Sequence, residues 1–554
     1  MNNLEILKLD RALWNAYIDK EDLEKAIQCY LEYINNLKNY KEDTVSANNE
    51  IDLSKQLFQI KMNILADKYI KEKNFKKALI VTYAAFKNND KDLKCIKNYI
   101  ICLQELKQGD LELSLMQYLE EISENNIEIY KLRSQIEEKK QSYPNAIEYM
   151  QKYIELKGTG NAAAEDYNQI GVLYDKYYSE KTHKRIDEQK ALEAFMKASD
   201  MAPDRNLYAE NATITAHKIN EFETAGKYWE RLFKNNNMSD DDKYYYSMYC
   251  LRTEDFEGWY KYFDFRFTKK YNPTIIPQFN KPKWDGSQDL SNSILLIYYE
   301  QGFGDTFLTW GYIPRLIKMA KHVIFVVQNA AYELLKNNDY GVEVYSGWYV
   351  DLNKLDYDYY IPSMTIPIAL KLNRSSISVG EGYLKPQEHL ISEYKQKYFN
   401  NNKFKIGISF LGHKNGDHTR DIDIKEFLPL DELDNVEIYN LSKEAEDNRF
   451  NIFKKNKVIN ITKDAQSFAD TAAIIANCDA VLTSDNCILN LAGAVGVKTF
   501  ALFNWTNQLR WFELKGENVV WYTSVKPFVC DDIDNWQSAI KPAIENIKQL
   551  MKNF

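Results

Sequence analysis

The sequence predicts an α + α/β chain: an all-α solenoid of paired helices, then a module of two parallel sheets covered by helices. Three observations predict it. Up to about residue 267 the chain is nearly free of proline, with apolar residues at three- and four-residue spacing; small residues recur there mostly every 32–36 positions; and beyond residue 294, β-rich apolar runs alternate with amphipathic stretches. A length of 554 residues exceeds one hydrophobic core and implies about three domains. The expected division is 1–267 for the helical repeats, 268–293 for a connector, and 294–395 and 403–554 for the two halves of the α/β module.

The helical period is clear from the start, as in Leu23, Ile27, Tyr30, Leu31 and Ile34. A self-similar unit follows: Asn74-Phe75-Lys76-Lys77-Ala78, Gly109-Asp110-Leu111 leading to Ser114, and Tyr143-Pro144-Asn145-Ala146. It returns at Ala191-Leu192-Glu193-Ala194-Phe195 and at Asn220-Glu221-Phe222-Glu223-Thr224-Ala225. The spacing of Ala78, Ser114, Ala146, Ala191 and Ala225 is that of tetratricopeptide (TPR) helix pairs, in which small residues let two helices approach closely. The longer interval from Ala146 to Ala191 places a loop insertion at 179–189, and Pro203 stops a second helix. Stacked pairs make a concave face that holds a peptide or protein; a dimer surface or rigid support is the alternative.

Pro273, Pro277 and Pro282 mark the connector, which ends in Trp284-Asp285-Gly286. Strands are expected at 294–299, 323–327, 405–410, 436–440, 480–483 and 499–503, with a polar break at 383–403. Two Rossmann-like halves joined at that break leave a cleft at the carboxyl ends of their strands, where ligands bind. The last helix, about 533–552, is expected to pack back across that cleft.

A net charge of −9 argues against a nucleic-acid binder. The seven cysteines form no CxxC pair or His/Cys cluster, which fits a reducing compartment. The start, Met1-Asn2-Asn3-Leu4-Glu5, shows no secretory signal, and no apolar run approaches the ~20 residues of a membrane span. A cytoplasmic protein with no transmembrane segment is expected. His413 and His418 lack a third ligand, and Asp356-Tyr357-Asp358 sits in a strand-like run, so neither a metal nor another cofactor is expected.

Three motifs can carry chemistry. Gly302-Phe303-Gly304-Asp305 follows a strand and opens a helix; Phe307 breaks any dinucleotide fingerprint. Asp305 either caps that helix or takes the proton of an attacking hydroxyl. In the second motif, strand 480–483 turns through Ser484, Asp485, Asn486 and Cys487 into a helix carrying Asn490 and ending at Gly496. That N-terminus suits a diphosphate; otherwise it is an ordinary turn capped by Ser484 or Asp485. The third is the polar loop 410–420, whose Lys414 and Arg420 either clamp phosphate oxygens or are solvated cations.

In this order, the motifs resemble TPR-containing glycosyltransferases related to the ADP-heptose:lipopolysaccharide heptosyltransferases. The matching passages are Gly258-Trp259, Phe265-Arg266, Trp284-Asp285-Gly286, Glu300 to Thr306, Arg420, Phe468 to Ala473, Leu491 to Ala494 and Arg510-Trp511. The resemblance implies a TPR-like solenoid followed by a two-Rossmann (GT-B) glycosyltransferase module with a nucleotide-sugar donor. It also implies inverting, metal-independent transfer, with Asp305 as base. Gly302, Gly304, Lys414, Arg420, Ser484, Asp485, Asn486, Cys487, Asn490 and Arg510 would bind the donor. Asn490 stands where the family usually has histidine. The expected reaction is transfer to a hydroxyl of a protein acceptor recruited by the repeats. TPR-fused relatives include flagellin glycosyltransferases, so flagellin or another surface protein is the first guess. A catalytically inactive scaffold mediating protein–protein interaction is the alternative.

Overall fold

The computed structural model describes residues 23–38, 44–108, 111, 114–115, 118, 127–158, 162–182, 184–235, 238–337, 340–412, 418–505, 511 and 518–554. The chain forms two compact units, Met1–Tyr177 and Tyr178–Phe554. Among the described residues no helix is long and apolar enough to cross a membrane.

The first unit is helical, from Leu23–Lys38 to Ala164–Tyr177. Its helix pairs turn through Lys73, Lys107 and Gln141, at left-handed φ of 58°, 56° and 57° and 34 positions apart. Such a φ costs a non-glycine residue about 1 kcal/mol, so the regular recurrence marks a turn that packing imposes. Ala78 and Ala146 are fully buried, as their spacing predicts. Ser114 is exposed instead, and its neighbour Leu115 takes the buried position. Buried Asp166 is matched by Lys131 Nζ at 2.6 Å and Lys157 Nζ at 3.0 Å, so its carboxylate is not left without a counter-charge.

In the second unit the left-handed turns return at Asn220 and Glu254, again 34 apart. From Gln141 to Asn220 is 79 positions, eleven more than two periods. The surplus falls at the expected insertion, but it is wound rather than looped: Tyr178–Thr182 forms a π-helical turn and Arg185 opens the next helix. Helix Arg185–Met201 stops just before Pro203. Ala191 and Ala225 are fully buried. Helices Asp240–Thr253 and Phe256–Tyr262 and the turn Phe263–Phe267 lead into the sheets.

The first sheet contains β1 (Ile294–Tyr298), β2 (His322–Val327), β3 (Glu343–Ser346) and β4 (Tyr359–Pro362), in the order β3-β2-β1-β4. The second contains β5 (Phe404–Ser409), β6 (Val436–Asn440), β7 (Val458–Asn460), β8 (Ala480–Ser484), β9 (Thr499–Phe503) and β10 (Val525–Val529), in the order β10-β9-β8-β5-β6-β7. All pairings between these strands are parallel. Strand order reverses between β1 and β4 and between β5 and β8, which opens a crevice at the carboxyl ends of those strands.

The connector adds to the first sheet. Trp284 is buried, its N–H donates to Tyr360 O at 2.8 Å, and Gly286 turns with φ +93° where a Cβ would meet Ala369 O at 2.0 Å. The polar break forms helix Glu388–Tyr398. The terminal helix is Trp536–Met551, and it does not follow the expected path across the cleft. Its apolar stripe of Trp536, Ile540, Ile544 and Ile547 packs into the second sheet's own core with Phe500 and Leu502, because that face would otherwise be open to water.

Candidate functional site

Each motif lies at the carboxyl end of a strand. After β1 the chain passes through Gln301, at a left-handed φ of 42°, into helix Phe303–Trp310. Gln328 holds that strained turn: its Nε2 donates to Gln301 O at 3.3 Å and Gly302 O at 3.2 Å, and its Oε1 accepts from Thr306 Oγ1 at 2.7 Å. Asp305 is buried, with Oδ2 accepting from the Gly302 N–H at 3.0 Å. The capping role is therefore present, and the carboxylate lines a cavity at the same time.

After β8 the chain enters helix Cys487–Val495, which ends at Gly496 with φ +90° as its spacing predicts. The cap is Asn486 rather than Ser484 or Asp485, because the strand runs through Ser484 and Asp485 points elsewhere. Asn486 Oδ1 accepts from Ile488 N–H at 2.9 Å, while its Nδ2 donates to Ser409 Oγ at 3.0 Å and Ser484 Oγ at 3.1 Å. One side chain thus pins the ends of β5 and β8 together at the reversal of strand order. Buried Asp485 accepts from Trp511 Nε1 at 2.9 Å. Arg420 Nη1 donates to Asp485 O at 2.8 Å, which places its guanidinium beside the helix N-terminus. Ser442, after β6, accepts from the N–H groups of Phe410 and Leu411 at 2.8 and 3.3 Å and fixes the turn that leaves β5.

The two motif helices meet. A Cβ on Gly304 would sit 2.6 Å from Asn490 Nδ2, so only glycine permits this approach. Asn490 is itself buried and anchored, with Nδ2 on Asn486 O at 3.3 Å and Oδ1 accepting from Tyr522 O–H at 2.8 Å.

A cavity of ≈ 810 Å³ collects Gly302, Gly304, Asp305, Arg420, Asn486, Cys487 and Asn490 on its walls. Ser484 and Asp485 lie behind that wall as buried supports. Lys414, Arg510 and His413 lie outside the described residues. Burial pushes the Cys487 thiol up to about 11, so it is protonated and unreactive at neutral pH. Asp358 accepts from the Ile294 N–H at 2.8 Å and Tyr357 is buried, so Asp356-Tyr357-Asp358 takes the structural role expected of it. Among the described residues no three His, Cys, Asp or Glu side chains group as metal ligands.

Sequence reasoning missed the support beneath the first motif. Arg266 is fully buried between the rings of Phe263 and Phe267 and grips Glu300 with two bonds, Nε–Oε2 at 2.7 Å and Nη2–Oε1 at 2.9 Å. It also reaches Asp264 Oδ1 at 2.5 Å and Thr365 Oγ1 at 2.7 Å, while Glu300 Oε1 accepts from Met364 N–H at 2.8 Å. The ends of β1 and β4 are therefore locked to the last helical turn. It also missed Tyr244 and Tyr245 of helix Asp240–Thr253, which line the same cavity.

No family model matches the chain. Protein FlbA of Caulobacter vibrioides is 34% identical over 85 residues, 15% of this chain and only 13% of that protein's length. Among solved structures, the glycosyl transferase family 9 protein from Veillonella parvula is similar over 49% of this chain and 100% of its own, at 12% identity and a TM-score of 0.38. The C-terminal part of a TPR repeat-containing protein from Cytophaga hutchinsonii is similar over 45% of this chain and 92% of its own, at 15% identity and a TM-score of 0.30.

Proposed function

We propose that the chain is a glycosyltransferase of TPR plus two-Rossmann (GT-B) layout, moving a sugar from a nucleotide-sugar donor to a hydroxyl of a protein acceptor. The reading rests on one observation: a single cavity holds a carboxylate, Asp305, on the first-sheet side and a guanidinium beside a helix N-terminus, Arg420 and Asn486, on the second-sheet side. Transfer with inversion needs that polarity. Asp305 takes the proton as the acceptor oxygen bonds to the anomeric carbon, and the bond from that carbon to the diphosphate breaks on the opposite face. The departing diphosphate carries the negative charge, which Arg420 and the dipole of helix Cys487–Val495 stabilise. Metal is not needed where these groups supply the positive field. The helical repeats recruit the acceptor, with flagellin or another surface protein as the first candidate.

A melting screen with ADP, UDP, GDP, CMP and their sugar conjugates tests the donor site. One nucleotide should raise the melting temperature saturably, and Asp305→Asn should then abolish transfer while keeping that rise, since asparagine still accepts from the Gly302 N–H. Transfer surviving Asp305→Asn would remove Asp305 as the base. A second reading, a non-catalytic scaffold, is favoured by Asn490, whose amide is engaged by Tyr522 and Asn486 rather than turned to a donor. On that reading no nucleotide shifts the melt and a protein partner does.

A further inference from the structure

We propose that the last helix pair of the repeats builds the acceptor half of the cavity, and that Tyr245 and Met248 select a polypeptide hydroxyl flanked by an aliphatic side chain. The inference rests on the transferase reading and deepens it. Tyr244, Met248 and Leu251 fall on one face of helix Asp240–Thr253 at four- and three-residue spacing, with Tyr245 beside them, and all four line the cavity that holds Asp305. Met364 and Pro367, beyond β4, line the same cavity. Tyr245 keeps 37% of its surface exposed, so its ring is open to a ligand in the cavity.

A chain of contacts ties this wall to the turn that carries Asp305. The Tyr244 ring lies 6.2 Å from that of Phe263, Phe263 lies against the Arg266 guanidinium, and Arg266 holds Glu300, two residues before Gly302. Met248, Leu251, Met364 and Pro367 offer no strong hydrogen bonds to sugar hydroxyls, so a saccharide set against that part of the wall would lose water without full compensation. An aliphatic residue next to the accepting Ser or Thr gains from the same burial. Methionine adapts to several aliphatic shapes, so the selection is for an apolar neighbour rather than for one residue type.

The test uses the full chain and two fluorescent nonapeptides, one with Thr between Leu and Val and one with Thr between Lys and Glu. Anisotropy is measured with UDP or whichever nucleotide the screen identifies. The aliphatic peptide should bind at least about ten-fold more tightly. Tyr245→Ala and Met248→Ala should each weaken it at least about five-fold, while the nucleotide's effect on melting is unchanged and Tyr245→Phe keeps wild-type binding. Equal binding of the two peptides, indifference to Tyr245→Ala, or competition by oligosaccharides but not by the aliphatic peptide overturns the inference. Absence of any nucleotide effect, with the peptide preference intact, overturns the transferase reading and leaves the peptide wall standing.

Discussion

Replacing Arg266 by methionine removes one partner of a fully buried ion pair. Both side chains of the Arg266–Glu300 pair have 0% exposure, so the abandoned carboxylate would keep only the Met364 N–H. Stranding a buried charge in this way costs about 3–5 kcal/mol. The loss of the ring contacts with Phe263 and Phe267 pushes towards the upper figure. Glu300→Gln should cost nearer about 3 kcal/mol, because Asp264 still faces the guanidinium. Changing both residues to methionine should recover most of the loss, since a well-packed apolar pair often replaces a buried ion pair at little cost. Urea unfolding followed by tryptophan fluorescence reads the effect, because nine of the ten tryptophans lie in the second unit. A loss under about 1 kcal/mol in Arg266→Met, or a double variant as unstable as the two single losses added, would refute the reasoning.

Gly304→Ala should destabilise by about 1–3 kcal/mol, as the added methyl meets the anchored Asn490 amide; Asn490→Ala in the same chain should restore much of it in the same unfolding assay. Glu210 is pushed up from 4.5 to about 7 by burial first and nearby Asp242 second. Its folded form therefore holds a proton that its unfolded form has lost, and stability falls as pH rises from 4.5 to about 7. Glu210→Gln should equal the wild type near pH 4.5 and melt at a higher temperature above pH 7. A melting difference independent of pH would place the effect elsewhere. Cys487 should resist iodoacetamide at pH 7.5 and react as pH nears about 11, more slowly with bound nucleotide; mass spectrometry of the labelled peptide decides this.

The sequence spoke most clearly where one residue type answered to one physical demand. Mostly apolar, β-prone runs marked β1, β2, β5, β6, β8 and β9, because strands covered on both faces are largely apolar. It was silent on β3, β7 and β10, which are short or polar and owe their extended form to a neighbouring strand. Pro527 in β10 argues against a strand, yet the structure seats it at the sheet edge, where a missing N–H is tolerated. The choice of Asn486 as cap was hidden because Ser484 and Asp485 are equally able in isolation. Pairings such as Trp511 with Asp485 and Arg266 with Glu300 join residues 26 and 34 positions apart and leave no local trace.

The lock at Arg266 bears on how the chain can be divided for experiment. A cut at 267, where helical texture gives way to strands, looks natural in the sequence but would take Trp259, Phe263 and Arg266 away from the core they complete and leave Glu300 alone in it. A piece that keeps Arg266 with Glu300 and follows the chain's own division begins near 178, where the second unit begins. A shortened chain made for crystallography or for nucleotide-binding assays should start there, and one started at 268 would be expected in the insoluble fraction.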